Sequence, residues 1–344
     1  MKALNWFDKI LFALNILLAL GLLFAYVLPY IPPSVFALLS VLTLGVPFLI
    51  ICNLIFLLFW LFRLKKQLWL SLVVLVVGLN HVTSIYEISS SEALQDGSEG
   101  LKVLSYNVRQ FNQYKWAEDP DIPQKIADFV KKRGPGVMAM QEYYSGEEVI
   151  ARSFPHKYIE LKEQNAEFGL AIFSRYPIVE RGSLDFPTAS NNNAIYADIV
   201  LHGDTIRFVN VHLQSFGIKP DIGDLAKQEA KKVFLGMGQT FVKQERQMEI
   251  VLDLVRKSPH PVVILGDFNN TAYSYIYREI KSEGFFDTFK EAGNGFGRTF
   301  FYKFFPLRID FILSQDQFEA LKFETFEVPY SDHYPVMALL RLKS

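Results

Sequence analysis

Between Ile10 and Leu79 the chain carries only three charged side chains, Arg63, Lys65 and Lys66, and they sit together. That apolar stretch reads as membrane-spanning helices. Ile10–Leu28 is apolar apart from Asn15 and, at about 1.5 Å per residue, long enough to cross a bilayer. Pro29-Tyr30-Ile31-Pro32-Pro33 ends it. Val35–Phe62 is longer than a bilayer needs, with Pro47 available to kink it and tilt available to absorb the excess. A shorter third run, Leu68–Leu79, extends through His81-Val82-Thr83 towards Tyr86. The expectation is a membrane region over residues 1–86, with spans at 10–28, 35–62 and 67–86 in contact with the lipid bilayer. A cleaved signal peptide, flanked by Lys2 and Lys9, is the rival for the first run. No small-residue cleavage site follows it, however, and two further apolar runs do.

The Arg63–Lys66 cluster is the densest short basic loop, so the positive-inside rule puts it and the N-terminus in the cytoplasm. Three spans then place everything after Tyr86 outside the cytoplasm. Were the third run only interfacial, two spans would return the rest of the chain to the cytoplasm. Asn15, Asn53 and Asn80 read as hydrogen bonds between packed helices. No ionisable side chain falls in the middle of a span, which argues against a transporter or channel.

Beyond residue 100 the composition becomes that of a water-soluble domain, with 30 basic and 31 acidic residues. That balance lacks the basic footprint of duplex-binding proteins and weakens a nucleic-acid reading. The single cysteine, Cys52, excludes a disulfide framework and a thiol metal site. A Ser/Glu/Gly-rich linker over 87–100 precedes a domain over 101–344. Leu101–Tyr106, Val137–Met140, Phe168–Phe173, Val262–Leu265, Arg308–Leu313 and Val336–Leu342 read as strands. Ala194–Val200 and Thr205–Val211 read as a hairpin turning at His202-Gly203-Asp204. Ile122–Lys132 and Lys227–Lys257 read as amphipathic helices. This irregular alternation points to a mixed sheet layered with helices in the α/β (α+β) class.

Several of these strands end in polar residues: Asn107, Glu142, His212, Asp267 with Asn269, and Asp332-His333 just before the last strand. Asp310 lies just inside its own strand. Each alone is explained by a turn or a solvated end. Together, residues of only these types suit a hard, oxygen-ligated cation such as Mg²⁺, with a neutral imidazole for proton transfer.

The set Ser105-Tyr-Asn107, Met140-Gln-Glu142, Ser174-Arg-Tyr-Pro177, Asn210-Val-His212, Gly266-Asp-Phe-Asn269, Arg308-Ile-Asp310 and Ser331-Asp-His-Tyr-Pro335 resembles the endonuclease/exonuclease/phosphatase superfamily over about residues 101–342. His212 looks like its deoxyribonuclease and sphingomyelinase branches. The resemblance implies a four-layer α/β sandwich, with two mixed sheets flanked by helices. It also implies hydrolysis of a phosphate ester: nucleic acid, a phospholipid headgroup or a small phosphoester. Glu142, with Asn107 and Asp332, would hold Mg²⁺ (or Mn²⁺ or Ca²⁺), and His333 oriented by Asp310 would activate water. Asp267 and Asn269 would position water and phosphate; the proton acceptor stays open between Asp267 and His333. His212 would bind phosphate and help protonate the leaving oxygen, Arg308 is a further substrate-binding candidate, and Glu167 is the nearest candidate to buttress His212. No protein partner is legible. The competing function is a non-catalytic membrane protein that uses the sandwich for binding; keeping both His212 and the Asp310–His333 pair argues against it. Phe300–Phe305 reads as core, membrane-surface wedge or stacking platform, and the excursion over 214–245 as a substrate-side loop and helix.

Overall fold

Asn5 opens the first helix, its Oδ1 accepting from the Asp8 amide at 2.7 Å as an N-cap should. The computed structural model describes residues 4–88, 100–146, 148–161, 167–187, 192–217, 230–302 and 305–343. These form two units. The first holds residues up to Ile85 together with described residues 230–245 and 271–279. Its N-terminal part is α1 (Trp6–Ala25), α2 (Ala37–Leu42), α3 (Val46–Phe62), α4 (Leu68–Val77) and α5 (Leu79–Val82). Trp6–Tyr30 and Ala37–Phe62 are long and apolar enough to cross a membrane, by length and composition.

Pro47 does not kink a continuous helix, as its position had suggested. It lies in the first turn of α3, where a missing N–H costs nothing, and the break falls earlier, in a 3₁₀ turn at Thr43–Gly45. The third run breaks at Gly78, where a Cβ would lie 1.9 Å from the Tyr26 ring. Its helix therefore ends at Val82, short of the expected 86, and Tyr86 starts a strand.

A buried polar seam ties three helices together. Asn15 Nδ2 donates to Ser71 Oγ at 2.8 Å, Trp60 Nε1 donates to Asn15 Oδ1 at 3.1 Å, and Ser71 Oγ reaches Asn53 Oδ1 at 3.5 Å. Apolar packing around Leu22, Val46, Ile50 and Val74 continues the seam.

The second unit takes β1 (Tyr86–Ile88), β2 (Leu101–Asn107), α6 (Ile122–Arg133), β3 (Val137–Tyr144), β4 (His156–Leu161), β5 (Phe168–Ser174), β6 (Ile178–Leu184), β7 (Asn193–Leu201) and β8 (Asp204–His212). The long helix α7 (Ala230–Arg256) leads into β9 (Val262–Asp267), and α8 (Tyr275–Ser282) follows. Then come β10 (Phe285–Asp287), α9 (Thr288–Ala292), β11 (Asn294–Phe296), β12 (Phe300–Tyr302), β13 (Phe305–Leu307), β14 (Asp310–Gln315), β15 (Phe318–Thr325) and β16 (Val336–Leu342). Residues 89–99 of the expected linker, 218–229 of the excursion and 303–304 of the aromatic run lie outside the described residues.

One sheet runs β15-β16-β2-β3-β5-β4 and the other β10-β14-β9-β8-β7-β6. Among the described residues β2–β3 and β8–β9 pair in parallel and the other neighbours antiparallel, so both sheets are mixed. The pleat sends alternate residues of β2 to opposite faces. Val103 packs between the sheets with Ile172, Phe208 and Leu265; Leu104 and Tyr106 pack outward with Ile126 and Val130 of α6. Gly134, at φ +60, ends α6 as a left-handed cap. The result is the expected α/β sandwich, two mixed sheets flanked by helices.

Gly266 shows how tightly the second sheet is built. It has φ +137, and a Cβ there would meet the Val211 carbonyl oxygen at 2.0 Å. Gly266→Ala is expected to destabilise the domain by about 2–4 kcal/mol, read as a clear fall in melting temperature. Unchanged melting would refute this account of the turn into Asp267.

Candidate active site

Sheet register assembles the site. Asp267 ends β9, and its parallel neighbour β8 sets His212 beside it while antiparallel β14 sets Asp310 on its other side. In the other sheet Val336 pairs with Ser105, which brings the Asp332-His333 turn to the end of β2. Ser331 fixes that turn: its Oγ donates to the Asn107 carbonyl at 2.8 Å and accepts from the His333 amide at 3.2 Å.

The Asp267 carboxylate, 1% exposed, joins the two sheets. Asn107 Nδ2 donates to its Oδ2 at 3.0 Å. The Asn269 amide donates to its Oδ1 at 2.8 Å, and Asn269 Nδ2 reaches Oδ2 at 3.3 Å and the Leu213 carbonyl at 2.9 Å. His212 Nε2 and His333 Nε2 lie 3.6 and 3.7 Å from Oδ2. His333 Nδ1 faces both Asp310 oxygens at 3.0 and 3.1 Å. Asn107, His212, Asp267, Asn269, Asp310 and His333 thus converge from both sheets.

Glu142 joins them differently from expectation. It ends no strand but lies in a bulge of β3, where the register shifts between Met140 and Tyr143, with φ +52. Bulges of this kind re-aim a side chain. Gln110 Nε2 donates to its carboxylate. Gln110 belongs to a turn, Arg109–Asn112, in which all four residues have positive φ, a costly conformation for residues other than glycine. Arg109 lies over the Trp116 ring at 4.6 Å, and its Nη1 pairs with Asp332 at 3.2 Å.

Burial raises the Glu142 carboxyl above its ordinary range, against the opposing charge of His333 and the Asn107 hydrogen bond. Burial also raises Asp267, partly offset by His333. For His333 burial acts downward, but the Asp310 and Asp267 carboxylates and the Asp310 hydrogen bond outweigh it and push the imidazole up to about 10. Glu142, Asn107 and Asp332 present oxygen donors only, the set a hard cation such as Mg²⁺ takes, and a half-buried carboxylate with a raised pKa, as Glu142 is, is one a cation would stabilise. The residues therefore fit the ion. Asp267, Asp310 and His333 form a second cluster, their ligand atoms within 4.8 Å of one another.

Two expected residues stand elsewhere. Arg308 is buried in an ion pair, its Nη1 on Asp287 Oδ2 at 2.7 Å and its guanidinium over Phe289 and Phe311. Glu167 is exposed and accepts from the Tyr114 hydroxyl at 3.4 Å rather than buttressing His212. Thr299 was not anticipated. Its Oγ1 accepts the Ile309 and Asp310 amides at 3.0 and 3.1 Å, fixing the start of β14. Phe300 bridges to His333, ring centroids 4.8 Å apart. Neither has a sequence signal, whereas Arg109 and Gln110 directly follow a motif read only as far as Asn107.

Comparison with known families gives a match over residues 104–333 to a profile described as the Endonuclease/Exonuclease/phosphatase family. The chain belongs to the endonuclease/exonuclease/phosphatase family. It is a hydrolase of phosphoric esters. Residues 8–85 match a profile described as a domain of unknown function (DUF8431). A search of curated proteins finds no match. Among solved structures, an endonuclease/exonuclease/phosphatase from Bacteroides vulgatus is 18% identical, with 72% of this chain and 100% of that chain covered and a TM-score of 0.57. A mannosyl-6-phosphatase from Bacteroides thetaiotaomicron is 21% identical, covering 70% and 100%, TM-score 0.53. D. rerio TDP2 complexed with single strand DNA product is 15% identical, covering 71% and 100%, TM-score 0.52. At such identities the likeness shows the fold.

Because the folded pKa of His333 is raised, its charge stabilises the fold below the ordinary value of 6.5, and that contribution is lost as pH rises through about 10. Asp310→Asn removes a carboxylate that raises it, so the His333 midpoint in metal-free protein should fall. Imidazole ¹⁵N chemical shifts measured across pH check this. A midpoint unmoved by the substitution would refute the assigned cause.

Proposed function

We propose that this family member is a membrane-anchored, divalent-metal-dependent hydrolase of phosphoric esters, with its catalytic domain on the extracytoplasmic side. The observation that carries the catalytic part is the convergence of Asn107, His212, Asn269 and His333 on the buried Asp267 carboxylate. A divalent cation held by Glu142 and Asn107, with Asp332 at its edge, would neutralise charge developing on the phosphate oxygens. His333 is the general base: Asp310 on Nδ1 sets the tautomer and orientation, and the charge of a bound cation would lower the imidazole from its raised metal-free value, leaving Nε2 to take the proton of water. Asp267 and Asn269 orient that water and the phosphate. His212 Nε2 donates to a phosphate oxygen and delivers a proton to the leaving group. Arg109, half-exposed beside Asp332, supplies a cation at the rim.

The anchor reading rests on the helical unit taken by itself. Only 22% and 33% of the two long apolar windows are buried, unlike the core helices of a soluble fold. Asp8 pairs with Arg63 at one end of the helices. At the other, the Tyr26 ring packs on His81, centroids 4.6 Å apart. There the Tyr273 hydroxyl donates to the His81 carbonyl at 3.1 Å, Arg278 Nε to the Pro29 carbonyl at 3.0 Å, and the Ser34 amide to Glu245 at 2.6 Å. Ser71 of α4 is level with Asn15, while Val74 accepts from the Tyr26 hydroxyl at 3.2 Å. The short third helix therefore travels the same way as α1 in reverse order of α3, which favours three crossings. With the basic cluster inside, the segments around Glu245 and Tyr273 lie outside.

His333→Ala is expected to lower turnover by about 10²–10⁴-fold without loss of folded protein, and chelation should abolish activity until Mg²⁺ or Mn²⁺ is restored. Full activity in either case would reject the mechanism. Topology is checked separately with a C-terminal alkaline phosphatase fusion, active only when exported. A well-expressed but inactive fusion would put the domain in the cytoplasm.

A further inference from the structure

The strand β1 begins four residues after the last apolar helix ends at Val82, a reach of at most about 14 Å. Among the described residues it pairs with β11, in the register Tyr86–Phe296, Glu87–Gly295 and Ile88–Asn294. Pleating puts Tyr86, Ile88, Phe296 and Asn294 on one face of this two-stranded ribbon. That face is open: Tyr86 is 43% exposed, Ile88 79% and Phe296 64%, with the Tyr86 and Phe296 rings edge-on at 4.9 Å. It carries no charged side chain. Glu87 and Gly295, on the opposite face, are half-buried.

From Phe296 the chain runs straight to the catalytic base and is fixed at every step. Gly297 is packed so closely that a Cβ would lie 2.8 Å from Phe289. Arg298 donates to the Tyr334 hydroxyl at 3.2 Å and pairs with Glu327 at 3.0 Å. Thr299 is fully buried; its amide donates to the Leu307 carbonyl at 2.9 Å and its carbonyl accepts from the Tyr334 amide. Phe300 then lies on His333. Three residues separate the open apolar face from that contact, again a reach of at most about 14 Å.

We propose that the outer face of the β1–β11 ribbon rests in the headgroup region of the bilayer, and that the site accordingly hydrolyses phosphate esters carried by membrane lipids. The inference rests on the membrane-anchored hydrolase reading and names its substrate class. The occupant is a lipid surface because only three residues lie between the last apolar helix and the ribbon. A face of Tyr, Ile and Phe free of charge is also what an interface binds. A short, braced connection from that face to His333 holds the base at a fixed distance from the headgroup layer, where the lipid phosphates sit.

The test uses the full chain in nanodiscs of phosphatidylcholine, phosphatidylethanolamine and phosphatidic acid. In a Cys52→Ala background, an environment-sensitive fluorophore on Ile88→Cys is compared with one on Val179→Cys, an exposed position of β6. The Ile88 probe should be blue-shifted and quenched severalfold more by nitroxide lipid than the Val179 probe. Equal behaviour would overturn the docking. In the same nanodiscs, combined Tyr86→Ser, Ile88→Ser and Phe296→Ser should cut lipid hydrolysis, followed by ³¹P NMR, by about tenfold or more, as misplacing a substrate does. Hydrolysis of soluble bis-p-nitrophenyl phosphate should change less than about twofold. Equal losses on both, or parent activity on the soluble ester alone, would overturn the lipid assignment. A parent inactive on both esters would instead sink the hydrolase reading, while the fluorophore still reports on the ribbon.

Discussion

A carboxylate with 1% of its surface exposed is tolerated in a protein interior only if donors surround it. Asp267 meets that demand by recruiting from both sheets. Asn107 reaches it across the sandwich and Asn269 folds back from the following turn, while His212 and His333 close in on the same oxygen. Asp310 adds a second buried carboxylate nearby, and the His333 imidazole stands between the two, Nδ1 towards Asp310 and Nε2 towards Asp267. Remove the central acid and each of these groups loses a partner. The sheets would then be left with the buried Asn210, which accepts from Gln141 and donates to the Met140 and Ala171 carbonyls across the sandwich.

The backbone bends to serve the same cluster. Asn269, Glu142 and the Arg109–Asn112 turn all adopt positive φ without being glycine. Each such residue costs on the order of 1 kcal/mol or more, and they gather where side chains must be re-aimed towards the cleft. The Asn269 turn returns its amide to Asp267, the β3 bulge carries Glu142 into reach of Gln110, and the left-handed turn sets Arg109 on Asp332. The sandwich core offsets this strain: Val103, Ile172, Phe208, Leu265 and their neighbours are fully buried between the sheets.

The helical unit follows the same rule at lower density. Asn15, Asn53, Ser71 and Trp60 are each fully buried and satisfy one another, which sets the rotation of three otherwise featureless apolar helices. Its far end gathers aromatic and charged contacts onto Tyr26, Pro29 and His81 from residues that follow Asn270 in sequence.

What the amino-acid sequence determined alone is whatever depends on near neighbours. Apolar runs announce helices, and alternation announces strands. A polar residue closing an apolar β-branched run announces a strand end, so Asn107, His212 and Asp267 were legible, as were the Ser331-Asp332-His333 and Arg308-Ile-Asp310 motifs. Tertiary structure decided what depends on distant partners. Asp310 could meet His333 only through the register of β14, and Arg308, two residues away, turned instead to Asp287. Glu142 owes its place to a bulge rather than a strand end. Thr299 and Phe300 became part of the site, and β1 became half of a ribbon, because of β13, β14 and β11, none of which their own residues encode. Local propensity is written within a few residues, whereas sheet register and contact across a sandwich are set by segments tens to hundreds of residues apart.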